Sequence, residues 1–343
     1  MKPLSHIETP KESYVADYPQ AVRAAIEQMG IFWPAEELGV EEDKADILTK
    51  LTKGERHMIE YLQSILTQYE LMIGGTEMWG GRIAKLFPRH EIQRMCSVFS
   101  MMELNTHAPF YDLINKTLGI ATDEFYTQFK RDPILAGHIK FIDEKASSDD
   151  ALEATAALTF LEGANLFTIF ACFKAFNVRG FNMIPHFVAG IDGSAKDENF
   201  HSMASAWLFN QCRMERTQLG NHSESERAAL DATIYQMARD VYAHEESVMR
   251  GAFAKAHDIG GQGIRVIQME EALHFARNRV DVCLKRLNLE PIFGDEQGTV
   301  SQWFYQNLST FKSSDFFATT QLQYRRDIAK HLLEFRKDLI DGI

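Results

Sequence analysis

The sequence predicts an all-α helical bundle, and three observations carry that reading. Only nine prolines interrupt 343 residues, and few stretches alternate apolar and polar residues as strands do. Long runs instead repeat apolar residues at helical spacing. One of them, residues 154–176, is apolar almost all the way round, which is how a helix in the middle of a bundle reads.

In chain order, residues 1–13 read as an irregular arm and 14–28 as a short helix. Residues 31–37 hold Trp33 and Pro34, and the proline makes them an extended or turn segment. Asp43 or Asp46 caps a helix running to about residue 73, which Gly74 and Gly75 loosen or end. A helical segment covers 77–86, and Pro88 breaks the chain. Residues 91–118 are periodic and helical despite Pro109, and 123–143 form a shorter helical pair. Ser147, Ser148, Asp149 and Asp150 cluster as an N-cap for the apolar helix, which Gly180 closes. Residues 181–212 are helical in composition, with Pro185, Gly190 and Gly193 expected to interrupt or bend them. Ser223 or Ser225 caps a helix to about residue 257, 260–263 form a loop, and 264–287 are the last long helix. Coil follows over 289–298. The composition then changes to that of an exposed tail over 309–343, with a short amphipathic helix at 328–340. One helical domain, 1–308, including an N-terminal arm and first helix over 1–30, plus this tail, is the expected organisation.

A hydrophobic content of 45% is ample for a sizeable core. The formal charge of −12 disfavours nucleic acid and anionic membrane as partners. Cys96, Cys172, Cys212 and Cys283 show neither C-x-x-C nor disulfide-framework spacing, so buried free thiols in a reducing cytoplasm are expected. No secretory h-region follows Met1.

The apolar helix contains Glu162. A carboxylate there takes up a proton, finds a cationic partner or ligates a metal. Glu162, Asn165 and Lys174 argue against lipid contact. Two further helices carry a Glu followed one turn later by a His: Glu103 with His107, and Glu198 with His201. Either spacing puts both side chains on one helix face. Helix-bundle di-metal sites combine two such helices with two that give a single carboxylate each. Carboxylates bridge and neutralise two divalent cations, while one imidazole per metal leaves positions open for oxygen or water. Glu162 and Glu70 are the candidate single carboxylates, which gives a six-ligand set. Glu271 and His274 repeat the spacing in polar surroundings and read as a solvated, salt-bridged face; His90-Glu91 and His244-Glu245-Glu246 read as surface.

At this point the chain resembles the small, radical-generating β subunit of class I ribonucleotide reductase, over roughly residues 30 to 305. The resemblance lies in Ile31-Phe-Trp-Pro-Ala-Glu-Glu37, Phe99-Ser-Met-Met-Glu-Leu-Asn-Thr-His-Ala-Pro-Phe-Tyr111, Glu162 ahead of Ala171-Cys-Phe-Lys-Ala-Phe176, and Lys196-Asp-Glu-Asn-Phe-His201. It implies a ferritin-like bundle with a di-iron, di-manganese or mixed Mn/Fe site, activated by oxygen or superoxide. The one-electron oxidant made there passes to a large subunit for reduction of ribonucleotides. Residue by residue it implies ligands Glu103, His107, Glu162, Glu198 and His201, with Glu70 where the family commonly has Asp. Tyr111 falls where the radical tyrosine sits. Trp33 matches the relay tryptophan, and Asp197 the aspartate linking it to a ligand histidine. Tyr324 is the candidate relay tyrosine of a tail that docks on the large subunit, with Tyr305 as its rival. A homodimer and a flavoprotein activase are further implied partners.

The first pair departs from the family's Glu-x-x-His by one extra residue. Pro109 cannot donate to the carbonyl of Asn105, and a widened, π-like turn would absorb the insertion. Two other functions compete. A stand-alone di-metal oxidase or oxygenase of the same fold predicts an apolar substrate tunnel and no use for a tail tyrosine. A metal-free scaffold predicts Glu70, Glu162 and Glu198 too far apart to share an ion. Trp33, Asp197 and the tail favour the first reading, since an oxygenase needs no exit route for a hole.

Overall fold

Side-chain caps decide where most of the long helices start. The computed structural model describes residues 4–259, 263–294 and 297–305, and no strand occurs among them. The first helix, α1 (Pro19–Gly30), begins later than its composition suggests. The amides of Asp17 and Tyr18 are taken by Glu91 Oε1 at 3.0 and 3.2 Å, and Pro19 has no amide to place, so the helix opens there. This corrects the reading of Glu91 as a surface residue: it is buried because it collects those donors.

The single helix expected up to residue 73 is two. A short α2 (Lys44–Thr49) ends, and Thr52 opens α3 (Lys53–Gly74) with a capping box closed by Glu55. A π-turn, Trp79–Ile83, leads to the brief α4 (Ala84–Leu86). The helices α5 (His90–Met102) and α6 (Ala108–Leu118) are joined by the π-turn Glu103–His107. The short α7 (Asp123–Thr127) and the Asp132-capped α8 (Pro133–Ala146) follow. The apolar segment is α9 (Ala151–Phe160), capped by Asp150, then a π-turn Leu161–Asn165, then α10 (Phe167–Lys174).

The next helix, α11 (Pro185–Gln218), runs unbroken, against the expected interruption. Pro185 sits in its first turn, where a missing amide costs nothing. Gly190 and Gly193 lie inside it because rings press on the backbone there. A Cβ on Gly193 would stand 2.9 Å from the Trp33 indole, and one on Gly190 would strike the Phe110 ring. Ser223 caps α12 (Glu224–Asp258) with Glu226. The last long helix, α13 (Met269–Arg286), starts after residues 264–268, where Arg265 is drawn to the Glu55 carboxylate at the head of α3. A short α14 (Thr299–Phe304) ends the described chain.

The segment from α9 through α10 packs against α11, α12 and α13. Ala151–Asn177 is long and apolar enough to cross a membrane, yet its most apolar 18-residue window is wholly buried inside the bundle, as a core helix is. All four cysteines are buried and free. Tyr324, the tail over 309–343 and its amphipathic segment lie outside the described residues.

Candidate metal centre

Four segments bring carboxylates into the apolar interior. Glu70 comes from the last turn but one of α3, Glu103 and His107 from the first-half π-turn, Glu162 from the second-half π-turn, and Glu198 with His201 from α11. All six are buried to the last percent. The π-turns explain two placements. Pro109 withholds one amide, and the amide of Ala108 reaches the Glu103 carbonyl five residues back. That wider turn swings Glu103 Oε2 to 2.6 Å from His107 Nδ1, so the extra residue between them is absorbed. Gly74 makes room for it, since a Cβ there would lie 2.5 Å from the Cβ of Glu103.

The ligand atoms form two groups of four, in each of which all atoms lie within 4.8 Å of one another. One is Glu70, Glu103, His107 and Glu198; the other is Glu103, Glu162, Glu198 and His201. Glu103 and Glu198 belong to both. Glu103 places Oε2 by His107 and Oε1 at 2.6 Å from His201 Nδ1; Glu198 places Oε1 at 3.0 Å from His107 and Oε2 at 3.7 Å from His201. Two cations held there would share Glu103 and Glu198, and each would have one imidazole and one further carboxylate within reach.

The donor set demands positive charge. Apart from one another, the two Nδ1 atoms, the carboxylate oxygens of Glu70, Glu103 and Glu198, and Glu162 Oε2 have no hydrogen-bond partner. The outer face of each imidazole is occupied: His107 Nε2 lies 3.1 Å from Asp197 Oδ2, and His201 Nε2 lies 3.2 Å from Gln28 Oε1. Both partners are acceptors, so each Nε2 carries a proton and each Nδ1 faces inward, where it offers a lone pair to a cation once its own proton has left. A dry pocket of bare acceptors is strongly unfavourable until cations fill it. The residues present therefore fit two metal ions.

Without cations, protons take their place. Burial, then the charges of Glu198 and Glu103, push the Glu70 carboxyl well above the ordinary range; burial and Glu198 do the same to Glu162. Burial pushes Glu103 up too, but the flanking imidazoles outweigh it and hold it at about 2. Burial lowers His201, but Glu103 and Glu198 overrule it and raise it to about 9. Cation uptake must displace the protons on Glu70, Glu162 and the imidazoles. Manganese(II) affinity is therefore expected to tighten from pH 6 to pH 9, with protons released on binding. Calorimetric titration in buffers of different ionisation enthalpy measures both; an affinity independent of pH over that range would contradict the picture.

Around this centre the structure adds residues the sequence reading singled out and some it missed. Trp33 donates to Asp197 Oδ2 at 2.9 Å, and its ring stacks on His107 with centroids 5.6 Å apart. Tyr111 is fully buried beside the cluster, with Ser194 next to its hydroxyl. Burial, then the charge of Glu70, pushes that phenol far above its usual value. Gln28, unforeseen, donates to Asp197 Oδ1 at 2.9 Å while its other end meets His201, so one amide ties both imidazoles into a single network. Trp79, also unforeseen, donates its indole N–H to Glu162 Oε1. No spacing rule marks Gln28; the cluster of glycines around Trp79 was the signal available there.

Of the pairs read as surface, Glu271 is held by Arg179 at 2.7 Å. Glu245 is a correction, being buried against His138, with 3.9 Å between Oε1 and Nε2. Tyr305 accepts from Arg279 at 2.7 Å.

The sequence profile described as "Ribonucleotide reductase, small chain" matches residues 12–300. No curated protein matches the chain. Among solved structures, the dimanganese(II)-NrdF of Streptococcus sanguinis is 18% identical, with a TM-score of 0.72 over 85% of this chain and 98% of its own. The ribonucleotide reductase R2 subunit of Clostridium botulinum is 19% identical, with a TM-score of 0.70 over 84% of this chain and 87% of its own. The Rnr4 homodimer of Saccharomyces cerevisiae is 16% identical, with a TM-score of 0.70 over 89% of this chain and 92% of its own. At these identities the likeness is one of fold.

Proposed function

The chain belongs to the ribonucleotide reductase small-chain family, and on that premise we propose that its buried centre makes the one-electron oxidant that a large subunit uses to reduce ribonucleotides to deoxyribonucleotides. The observation that supports this most is the unbroken line from the cluster outward: His107 Nε2, Asp197 Oδ2, Trp33 Nε1, at 3.1 and 2.9 Å. A centre that oxidised its own bound substrate would have no use for such a line.

Glu70, Glu103, His107 and Glu198 would hold one ion, and Glu103, Glu162, Glu198 and His201 the other. The metals, when bound, supply the oxidising power after reaction with oxygen or superoxide; manganese, which the Streptococcus structure is named for, and iron both suit carboxylate and imidazole donors. The chain's own part is to steer protons and charge. Loss of an electron from the Trp33 indole makes its N–H strongly acidic, and Asp197 Oδ2 is placed to take that proton. Asp197 keeps its position because Gln28 holds its other oxygen. Tyr111, fully buried beside the charge of Glu70, is placed to store the oxidising equivalent away from the protein surface.

The wider assembly in this reading is a homodimer of the helical domain, 1–308, acting in the cytoplasm to supply deoxyribonucleotides for DNA replication. The tail, 309–343, docks on the large subunit and Tyr324 relays the oxidising equivalent. A flavoprotein activase serves the manganese form. The deciding experiment loads the metal-free chain separately with iron and with manganese, then adds oxygen or superoxide, the large subunit, nucleoside diphosphate and reductant. Deoxynucleotide formation is expected; full loading with no product in any combination would overturn the reading. Tyr111→Phe in the same assay is expected to remove a tyrosyl electron paramagnetic resonance signal and turnover together. Unchanged turnover would place the oxidising equivalent on the metals.

A further inference from the structure

Trp79 is fully buried, and an unusual stretch of backbone delivers it. The segment Gly74-Gly-Thr-Glu-Met-Trp-Gly-Gly81 leaves α3, folds back on itself and enters a π-turn. The coil is too tight for side chains. A Cβ on Gly80 would lie 2.6 Å from the Gly74 carbonyl oxygen, and one on Gly81 would strike the carbonyl of Thr76. Ser100 Oγ pins the end of α3 by donating to the Gly74 carbonyl at 2.5 Å. The product of this arrangement is one indole in the interior. It is set edge-on to Phe99 with centroids 5.0 Å apart and lies 6.1 Å from the His201 ring. Its N–H donates to Glu162 Oε1, which leaves Oε2 as the oxygen of Glu162 without a hydrogen bond.

A terminal carboxylate in such a centre has a choice. It can bind with one oxygen, bind with both, or swing to bridge. An N–H fixed on Oε1, which lies 3.8 Å from His201 Nδ1, takes one lone pair of that oxygen and sets the rotamer of the side chain before any ion arrives. We propose that Trp79 is a positioning residue: it holds the Glu162 carboxylate in one orientation toward His201 and thereby sets the affinity of the ion position made by Glu103, Glu162, Glu198 and His201. The two indoles then divide the cluster. Trp33 works on the His107 side through Asp197, and Trp79 on the Glu162 side directly. This inference rests on the metal-centre reading above.

The test is a manganese(II) titration of the metal-free full chain, followed by calorimetry and electron paramagnetic resonance. The wild type is expected to bind two ions and show a spin-coupled signal. Trp79→Phe keeps a ring but loses the N–H, and is expected to weaken one of the two ions by about ten- to a hundredfold. The other ion should stay within a few-fold, and the spectrum should become that of an isolated ion at one equivalent. Trp79→His, which restores an N–H, is expected to recover part of the lost affinity. Two ions bound with wild-type affinities and an unchanged coupled signal in Trp79→Phe would overturn the proposal. A wild type that binds no pair of ions would instead overturn the metal-centre reading. A measurement on the wild type alone covers the case where the variants do not fold. The N–H-sensitive Raman bands of the indoles are expected to show a hydrogen-bonded indole that changes as the Glu162 position fills, and bands that do not move at either equivalent would overturn the assignment.

Discussion

Glu162→Ala is expected to empty the ion position on the His201 side while the bundle stays folded. The side chain is the sole terminal carboxylate of that group, and the remaining members, Glu103, Glu198 and His201, are two shared bridges and one imidazole. Changing a residue that only hydrogen-bonds to a metal ligand costs about ten- to a hundredfold in affinity, and removing a ligand outright costs more. Loss of the second ion by more than about a hundredfold is the expected result. Folding survives for a separate reason. In the metal-free protein Glu162 is a burden: buried, crowded by Glu198, and holding a proton it would not hold in water. Alanine removes that burden and leaves one donor, the Trp79 N–H, without its acceptor, a loss of about 1–3 kcal/mol. Metal analysis, circular dichroism and thermal unfolding on the same sample separate the two effects. Two ions per chain in the variant would refute the ligand assignment.

Asp197→Asn is expected to lower turnover with the large subunit by about a hundredfold or more at saturating metal, with both ions still bound. The carboxylate receives three groups: Trp33 on Oδ2, Gln28 on Oδ1, and His107 Nε2 on Oδ2. An amide of the same shape keeps one acceptor oxygen and presents an NH2 where the other stood. Either Trp33 with His107 or Gln28 then faces a donor instead of an acceptor. More important, the amide cannot take the indole proton. The variant should therefore fold and load, while transfer from the buried centre to the protein exterior slows. Time-resolved absorption of the indole radical reports on that step directly. Full turnover in the variant would remove Asp197 from the route and leave it a structural anchor for His107.

The same two residues show how far the chain could be read before folding. Helical periodicity marks Glu103, His107, Glu198 and His201 as pairs on single helix faces, and the apolar run around Glu162 marks a carboxylate that needs a partner. The π-turn at 103–107 was legible through the family resemblance, whose pair is one residue shorter, together with the proline at 109. The chain alone also marked the helical class, a cap within residues 147–150, a cap at Ser223 or Ser225, and the free, buried cysteines; the structure picks Asp150 and Ser223 as the caps. Tertiary structure alone decided which carboxylates are common to both groups, Glu103 and Glu198. It alone brought Gln28 from the first helix and Trp79 from a glycine-rich coil to the outer and inner edges of the site. It also buried Glu91 and Glu245, which look like solvated acids in the sequence. The physical reason is the same in each case. Periodicity fixes the direction of a side chain relative to its own helix axis. The rotation and offset of one helix against another, and so the donors a buried carboxylate will meet, come from packing between segments far apart in the chain.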